Sequence, residues 1–291
     1  MHIEKLKYYI DLYECRNFTE TSRKNFVSQA ALSQYISSLE KQFGMQFFDR
    51  SVTPIIPTTA GTLFYEESKI LYKQYKNMVT TVTKLKEDTF PPLRIAYSSS
   101  LDVPALIPHI PAFKEKYPTA ELQLNKITLK EASEYIEKGL CDIVVSFSTE
   151  FLDESYARHV ILDQGSYVAL VGKGNPLYEK DHITAEELYK SPLIMLSKPV
   201  IGNLYEKMIE RAVQDGFEPQ IEKTVDDIET EMFSIITEGY IGFAPERQNL
   251  SEYGDLIKML PIIGSCHKYV IAAGYSKDNK NPALKAFIEV L

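Results

Sequence analysis

The chain has 291 residues, of which 44% are hydrophobic and 25% charged, enough for two or three domains with cores of their own and too apolar for a disordered chain. No apolar run approaches about 18 residues, and the start, Met1-His2-Ile3-Glu4-Lys5, lacks the apolar core of a signal peptide, so the expectation is a cytoplasmic chain and not a spanning or exported one. The formal net charge of −8 argues against nucleic acid as a partner of the chain as a whole, but residues 1–88 hold 12 Lys and Arg against 10 Asp and Glu, and the remainder 20 against 30, so the acidity lies outside the N-terminal segment.

In chain order, Leu6, Tyr9, Ile10 and Tyr13 fit one apolar face of a first helix. Phe18-Thr19-Glu20-Thr21-Ser22-Arg23-Lys24 starts a second, with Thr19 as its expected cap and small Thr21 and Ser22 where helices approach closely. After a short turn, Ser28 is a good N-cap for a third helix, with Val27 and Leu32 placed to form a hydrophobic staple. Leu32, Ile36 and Leu39 recur on one face of it, and Gln29, Ser33 and Ser37, with Gln34 beside them, make the other face short, polar and uncharged. A solvated surface helix would carry such a face, and so would a recognition helix reading base edges in a major groove. The tight junction with the preceding helix favours the second, a helix-turn-helix. Gly44 ends this helix, the prolines of Ser51-Val52-Thr53-Pro54-Ile55-Ile56-Pro57-Thr58 forbid helix and suit a wing, and Thr58-Thr59-Ala60-Gly61 caps the next element of the chain.

These residues resemble the N-terminal winged helix-turn-helix of the LysR-type transcriptional regulators. The resemblance rests on Phe18-Thr19, Val27-Ser28-Gln29-x-Ala31-Leu32-Ser33, Ile36-x-x-Leu39-Glu40, Gly44, Phe48-x-Arg50 and Thr58-x-Ala60-Gly61. It implies base contacts from Gln29, Ser33, Gln34 and Ser37, phosphate contacts from Ser28, Arg50 and Thr58, and double-stranded operator DNA as partner. At Asn25, Gln34, Ser37, Thr53 and Ile56 the sequence departs from the family's usual residues, which implies a base preference of its own.

From Thr59 to about Lys86 no proline interrupts, and Phe64, Ser68, Leu71, Tyr75, Met78, Val82 and Leu85 keep a 4-3 heptad spacing. One apolar stripe on so long a helix must be buried, against either the chain's own second domain or another subunit. The resemblance favours the subunit, hence a homodimer or homotetramer, and DNA binding by paired modules would compensate for the weak balance of +2. Pro91-Pro92 breaks the chain. Strand-like runs beginning at Leu93, Glu121, Asp142 and Tyr167 then alternate with helices. One of these ends at Gly139, one opens with the capping box Thr184-Ala185-Glu186-Glu187, and one ends at Gly239 before Ile241-Gly242-Phe243-Ala244-Pro245. Alternation of this kind makes the fold α/β. Lys116-Tyr117-Pro118, Asn175-Pro176-Leu177 and Glu238-Gly239-x-x-Gly242-x-x-x-Glu246 are similar to landmarks of the family's effector domain, whose two lobes resemble periplasmic binding proteins. The resulting division is a winged helix-turn-helix over residues 1–58, a linker and dimerisation helix over 59–88, and an effector domain over 89–291. Lobe I comprises 93–162 with 267–291, and lobe II comprises 163–266.

Ser98-Ser99-Ser100 follows the first strand of that domain and precedes a helix, which places hydroxyls and backbone N–H groups where they either cap the helix or hold an anion. In the family the corresponding turn contributes to the effector cleft, with the positions matching Thr128 and the loop containing Lys198, Ile201 and Gly202. A carboxylate effector gripped between the serines and Lys198 is the resulting expectation. Cys15, Cys141 and Cys266 are widely spaced among apolar or aromatic residues and read as buried small hydrophobes, and no Cys or His pair has ligand spacing, so neither a metal nor a cofactor is expected. No Gly-x-Ser-x-Gly and no phosphate-cradling Gly loop occurs, which argues against an enzyme. A solute-binding protein, or a cytoplasmic small-molecule-binding protein without a DNA target, is the alternative, and the helix-turn-helix speaks against both.

Overall fold

Three short helices gather around an aromatic centre in the first of two compact units, Met1–Asp88; the second is Thr89–Leu291. The computed structural model describes residues 2–86, 91–151 and 154–291, without the side chains of residues 85 and 86. In the first unit α1 (Leu6–Cys15), α2 (Phe18–Lys24) and α3 (Gln29–Phe43) are followed by the strand pair β1 (Phe48–Asp49) and β2 (Ile56–Pro57) and by α4 (Thr59–Lys86). Tyr9, Leu12, Leu32, Ile36, Leu39, Phe47 and Phe48 form its buried core, with Val27 packed against it. A Cβ on Gly61 would lie 2.0 Å from the Phe47 carbonyl oxygen, so only glycine lets α4 start against the wing.

The cap of α2 is Asn17 and not Thr19. The Asn17 carboxamide oxygen accepts from the backbone N–H of Thr19 and Glu20 at 2.8 and 3.0 Å, which puts Thr19 inside the first turn. Asn25, one of the departures from the family pattern, donates to the buried Asp11 carboxylate at 2.8 Å, which Lys7 and Lys24 also reach. An aliphatic residue there would leave that buried acid one partner short.

The heptad stripe of α4 is split between two surroundings. Phe64 does not belong to an open seam: its ring lies 4.7 Å from that of Tyr9 and 4.6 Å from that of Phe47, inside its own domain's core. Ser68 is buried as well, and the Tyr75 hydroxyl donates to Glu4 at 2.7 Å. Further along, Leu71, Met78 and Val82 stand 38%, 56% and 61% exposed. The Leu85 side chain lies outside the described residues.

The second unit alternates strand and helix: β3 (Leu93–Tyr97), α5 (Asp102–Leu106), α6 (Ile110–Lys116), β4 (Leu122–Lys126), α7 (Ala132–Glu137), β5 (Ile143–Phe147), β6 (Ala157–Gly172), β7 (Ile183–Thr184), α8 (Ala185–Tyr189), β8 (Leu193–Leu196), α9 (Lys198–Ile201), α10 (Asn203–Gln214), β9 (Ile221–Val225), α11 (Ile228–Glu238), β10 (Ile241–Pro245), β11 (Ile257–Ile263), β12 (Lys268–Ser276) and α12 (Pro282–Ile288). In lobe I the strand order is β4-β3-β5-β12-β6, and in lobe II β6 continues into β10-β8-β9 on one side while β11 pairs with it on the other. The strand β6 is shared. Its residues up to Ser166 pair with β12, and from Tyr167 onward they pair with β10 and β11. The change of partners falls between Ser166 and Tyr167, within one uninterrupted strand.

Each lobe holds a parallel trio, β3 between β4 and β5, and β8 between β9 and β10. Strand order reverses at β3 and at β8, and in open α/β sheets the crevice beyond the carboxyl ends of such strands is where ligands bind. Residues 98–100 follow β3, Thr128 follows β4, Asp226 follows β9 and Pro245 closes β10.

Candidate functional site

Two surfaces carry the chemistry, one in each unit. On α3 Leu32, Ile36 and Leu39 are spent on the core, and Gln29, Gln34 and Ser37 stand exposed and Ser33 half-buried on the opposite face. Ser28 caps the helix, its hydroxyl accepting the Ala31 N–H at 3.1 Å, and Gly44 at φ +67° terminates it. Glu40 ties α3 to the wing: one carboxylate oxygen accepts the Phe47 N–H at 2.9 Å, and the other pairs with Arg50 at 2.6 Å. The Arg50 guanidinium also lies 3.4 Å from the Ser37 hydroxyl and over the Phe18 ring. It is therefore held at the edge of the polar face. The Thr58 hydroxyl is already engaged, donating to Gln46 O at 2.7 Å and accepting the Gly61 N–H at 3.0 Å.

In the second unit the carboxyl ends of both parallel trios enclose a cavity of about 640 Å³, within the range of small-molecule sites. Ser98, Ser99, Ser100, Thr128 and Ile201 line it; Lys198 and Gly202 do not. Lys198 forms an ion pair with Glu206 and lies on a separate polar cleft together with Thr149 and Glu154. Gly202, at φ +57°, instead makes room for Glu150, whose carboxylate oxygen would lie 2.8 Å from a Cβ there. Glu150 comes from lobe I and accepts the N–H groups of Asn203 and Leu204 at the start of α10 in lobe II, while burial pushes its acid up to about 7. It is a joint between the lobes that no sequence motif marks.

The serine turn binds an anion, but the anion belongs to the chain. Asp102 is fully buried, and its carboxylate accepts four bonds: the Ser98 and Ser99 N–H groups at 2.7 and 2.6 Å, and their hydroxyls at 3.0 and 2.7 Å. Burial pushes this acid up, and the serine donors oppose the shift. A carboxylate effector held between these serines and Lys198 is therefore corrected: the donors of Ser98 and Ser99 are committed to Asp102, and the lysine is paired elsewhere.

The remaining wall is apolar. Leu170, Met195, Met208, Met232, Phe243 and Ala244 contribute to it, and the charged lining residues Lys126, Lys130, Asp226 and Asp227 stand exposed at its rim. Two polar groups of this wall were not legible in the sequence. The Tyr167 hydroxyl is sealed behind it with no hydrogen-bond partner among the described residues, and Glu231, which lines it, is 5% exposed with no described residue bonded to its carboxyl. Glu231 lies over Gly242, where a Cβ would come 3.2 Å from its oxygen, and burial pushes its acid up to about 8.

Of the cysteines, Cys141 is buried, Cys15 is half-buried and Cys266 is exposed, so the expectation of three buried thiols holds for one. Cys266 sits in the loop before β12, where its N–H donates to Asp215 at 3.0 Å. Among the described residues no cluster of three His, Cys, Asp or Glu side chains could hold a metal ion, and no helix is long and apolar enough to cross a membrane.

Residues 87–291 match the family model described as LysR substrate binding domain, and residues 3–62 match that of the bacterial regulatory helix-turn-helix protein, lysR family. The chain is 26% identical over 293 residues to the HTH-type transcriptional regulator AlsR of Bacillus subtilis (strain 168), covering 100% of this chain and 95% of that protein. It is 22% identical to the Hca operon transcriptional activator HcaR of Escherichia coli (strain K12), covering 100% and 97%. The crystal structure of CbnR, a LysR family transcriptional regulator, shares the fold with a TM-score of 0.78 at 20% identity, over 100% of this chain and 98% of that one. Full-length CbnR complexed with its target DNA gives 0.75 at 19% identity, over 99% and 98%. Both modules are thus matched, and the chain belongs to the LysR family of bacterial transcriptional regulators, joining a helix-turn-helix DNA-binding domain to an α/β effector-binding domain.

Proposed function

We propose that this regulator reads its operator through the exposed face of α3, with Gln29, Ser33, Gln34 and Ser37 at base edges and Ser28 and Arg50 toward phosphates, and takes its effector in the cavity between the lobes; Thr58, which gives its N–H and its hydroxyl hydrogen to the chain, holds the wing instead. The observation that carries the first part is that α3 buries Leu32, Ile36 and Leu39 and presents uncharged hydrogen-bonding side chains to solvent, with one arginine braced beside them. The solved complex of CbnR with its target DNA supports the same use of this domain. Because the unit's charge balance is only +2, one copy would bind weakly, and the exposed Leu71, Met78 and Val82 of α4 support pairing with a second copy. Phe64 supports the fold of one copy, and Tyr75 is tied to Glu4 of its own chain.

A gel shift with the intergenic DNA beside the protein's own gene tests this. The Gln29→Ala variant should lose about 1 to 3 kcal/mol on the specific fragment and far less on random DNA; equal losses on both would remove α3 from base reading. In light scattering, Leu71→Asp combined with Met78→Asp should halve the mass while circular dichroism keeps its helix and strand signals, since charge is excluded from a buried apolar seam. An unchanged mass would show that these residues do not pair subunits.

A further inference from the structure

Resting on the placement of the effector in the inter-lobe cavity, we infer that the effector is an uncharged, mainly apolar molecule carrying a hydrogen-bond acceptor, a carbonyl or ether oxygen, that meets the Glu231 carboxyl. Three observations converge on this chemistry. The wall is apolar and adaptable: Met195, Met208 and Met232 come from three different elements, and thioether side chains reshape around irregular apolar ligands. The donors that would welcome an anion are committed, since Ser98 and Ser99 give both their N–H groups and both their hydroxyls to Asp102. Charge inside the cavity is therefore not compensated, because the charged lining residues Lys126, Lys130, Asp226 and Asp227 are all exposed at the rim.

What the interior does offer is one group without a described partner: Glu231 lines the cavity, is 5% exposed, and has no described residue bonded to its carboxyl. A buried polar group without a partner costs free energy that a ligand atom recovers by bonding to it. Glu231 is packed among Ile194, Ile235 and the backbone of Gly242, and no charged group contributes to its shift, which comes from burial alone and reaches about 8. Near neutrality it is thus an acid with a hydrogen to donate, and it asks for an acceptor. A carboxylate would face this acid with no cation among the buried lining residues, and an ammonium would have to be desolvated and to expel the Glu231 proton.

Three probes of equal chain length separate the possibilities: 2-octanone, octanoate and octylammonium, titrated calorimetrically into the full chain. At about pH 6 the ketone should bind at least tenfold more tightly than either ion, and its affinity should fall by about tenfold at about pH 10 as Glu231 ionises. Glu231→Gln, which keeps a donor without the charge, should retain ketone binding and lose the pH dependence. Glu231→Leu should weaken it several-fold. Tighter binding of octanoate or octylammonium, no binding of the ketone, or a pH-independent affinity in the unsubstituted chain overturns the assignment. The reading of the cavity as the effector site fails separately: if the ketone binds with the stated pH and variant responses yet leaves operator occupancy unchanged in a parallel anisotropy titration, the ligand class stands and its regulatory role falls.

Discussion

The two walls of the inter-lobe cavity each bury a carboxyl group, and they treat it in opposite ways. On the lobe I wall Asp102 is fully buried and receives four donors from Ser98 and Ser99. On the lobe II wall Glu231 is nearly as buried and receives none from described residues. Burial alone does not distinguish a structural acid from one left open for a ligand; the state of its hydrogen bonds does. The lobe I wall is finished within the chain, and the lobe II wall leaves its acid without a donor from the described residues.

The sharpest way to break that contrast is to remove the finished acid. Asp102→Ala would leave two buried N–H groups and two hydroxyls facing an apolar methyl, and we expect a loss of roughly 3 kcal/mol or more in urea unfolding of the effector unit. A loss below about 1 kcal/mol would mean that water replaces the carboxylate easily and that the turn is open to ligands after all.

Next in size is the response of the unfinished acid to pH. Between its ordinary value of 4.5 and the folded value of about 8, the native chain holds a proton on Glu231 that the unfolded chain releases. Stability should therefore fall as pH rises through that window and stay low above it. Glu231→Gln removes this contribution, so the variant should gain on the unsubstituted chain with rising pH, by on the order of a few kcal/mol at about pH 9. Parallel unfolding curves for the two proteins across that range would show that Glu231 is hydrated or paired in solution.

How much of this was legible in the sequence depends on how local the cause is. Ser28, Gly44 and the capping box at Thr184 act within one turn of chain, so their spacing specifies their role. The heptad of α4 is legible as an apolar stripe, but its partner is not: periodicity cannot say that Phe64 seats among Tyr9 and Phe47 while Met78 stays exposed. Long-range pairing was the weakest point. Lys198 could be placed near the cleft, yet its reach to Glu206 depends on the kink at Gly202, whose φ is positive. Asp102 and Glu231 are two acids among 40, and what singles them out, four donors in one case and a missing Cβ at Gly242 in the other, exists only once the strands are laid side by side.

The smallest expected effect sharpens the comparison at a single hydroxyl. Ser99 Oγ donates to Asp102 Oδ1 at 2.7 Å and accepts from the Leu101 N–H at 3.3 Å, so it works inside the lobe I wall and has no hydrogen left for a ligand. Ser99→Ala leaves Asp102 with the Ser98 hydroxyl and both backbone donors, and the expected cost is about 1 kcal/mol of stability, read as a lower urea midpoint with an unchanged slope. Affinity for whatever occupies the cavity should not change, because the lost donor never faced it. Ser100 is the control: its hydroxyl is exposed and 3.4 Å from the Gln248 side chain, so Ser100→Ala should leave stability within about 0.5 kcal/mol. If Ser99→Ala instead kept its stability and lost several-fold in ligand affinity, the serine turn would be an open anion site, and the two walls would no longer differ in kind.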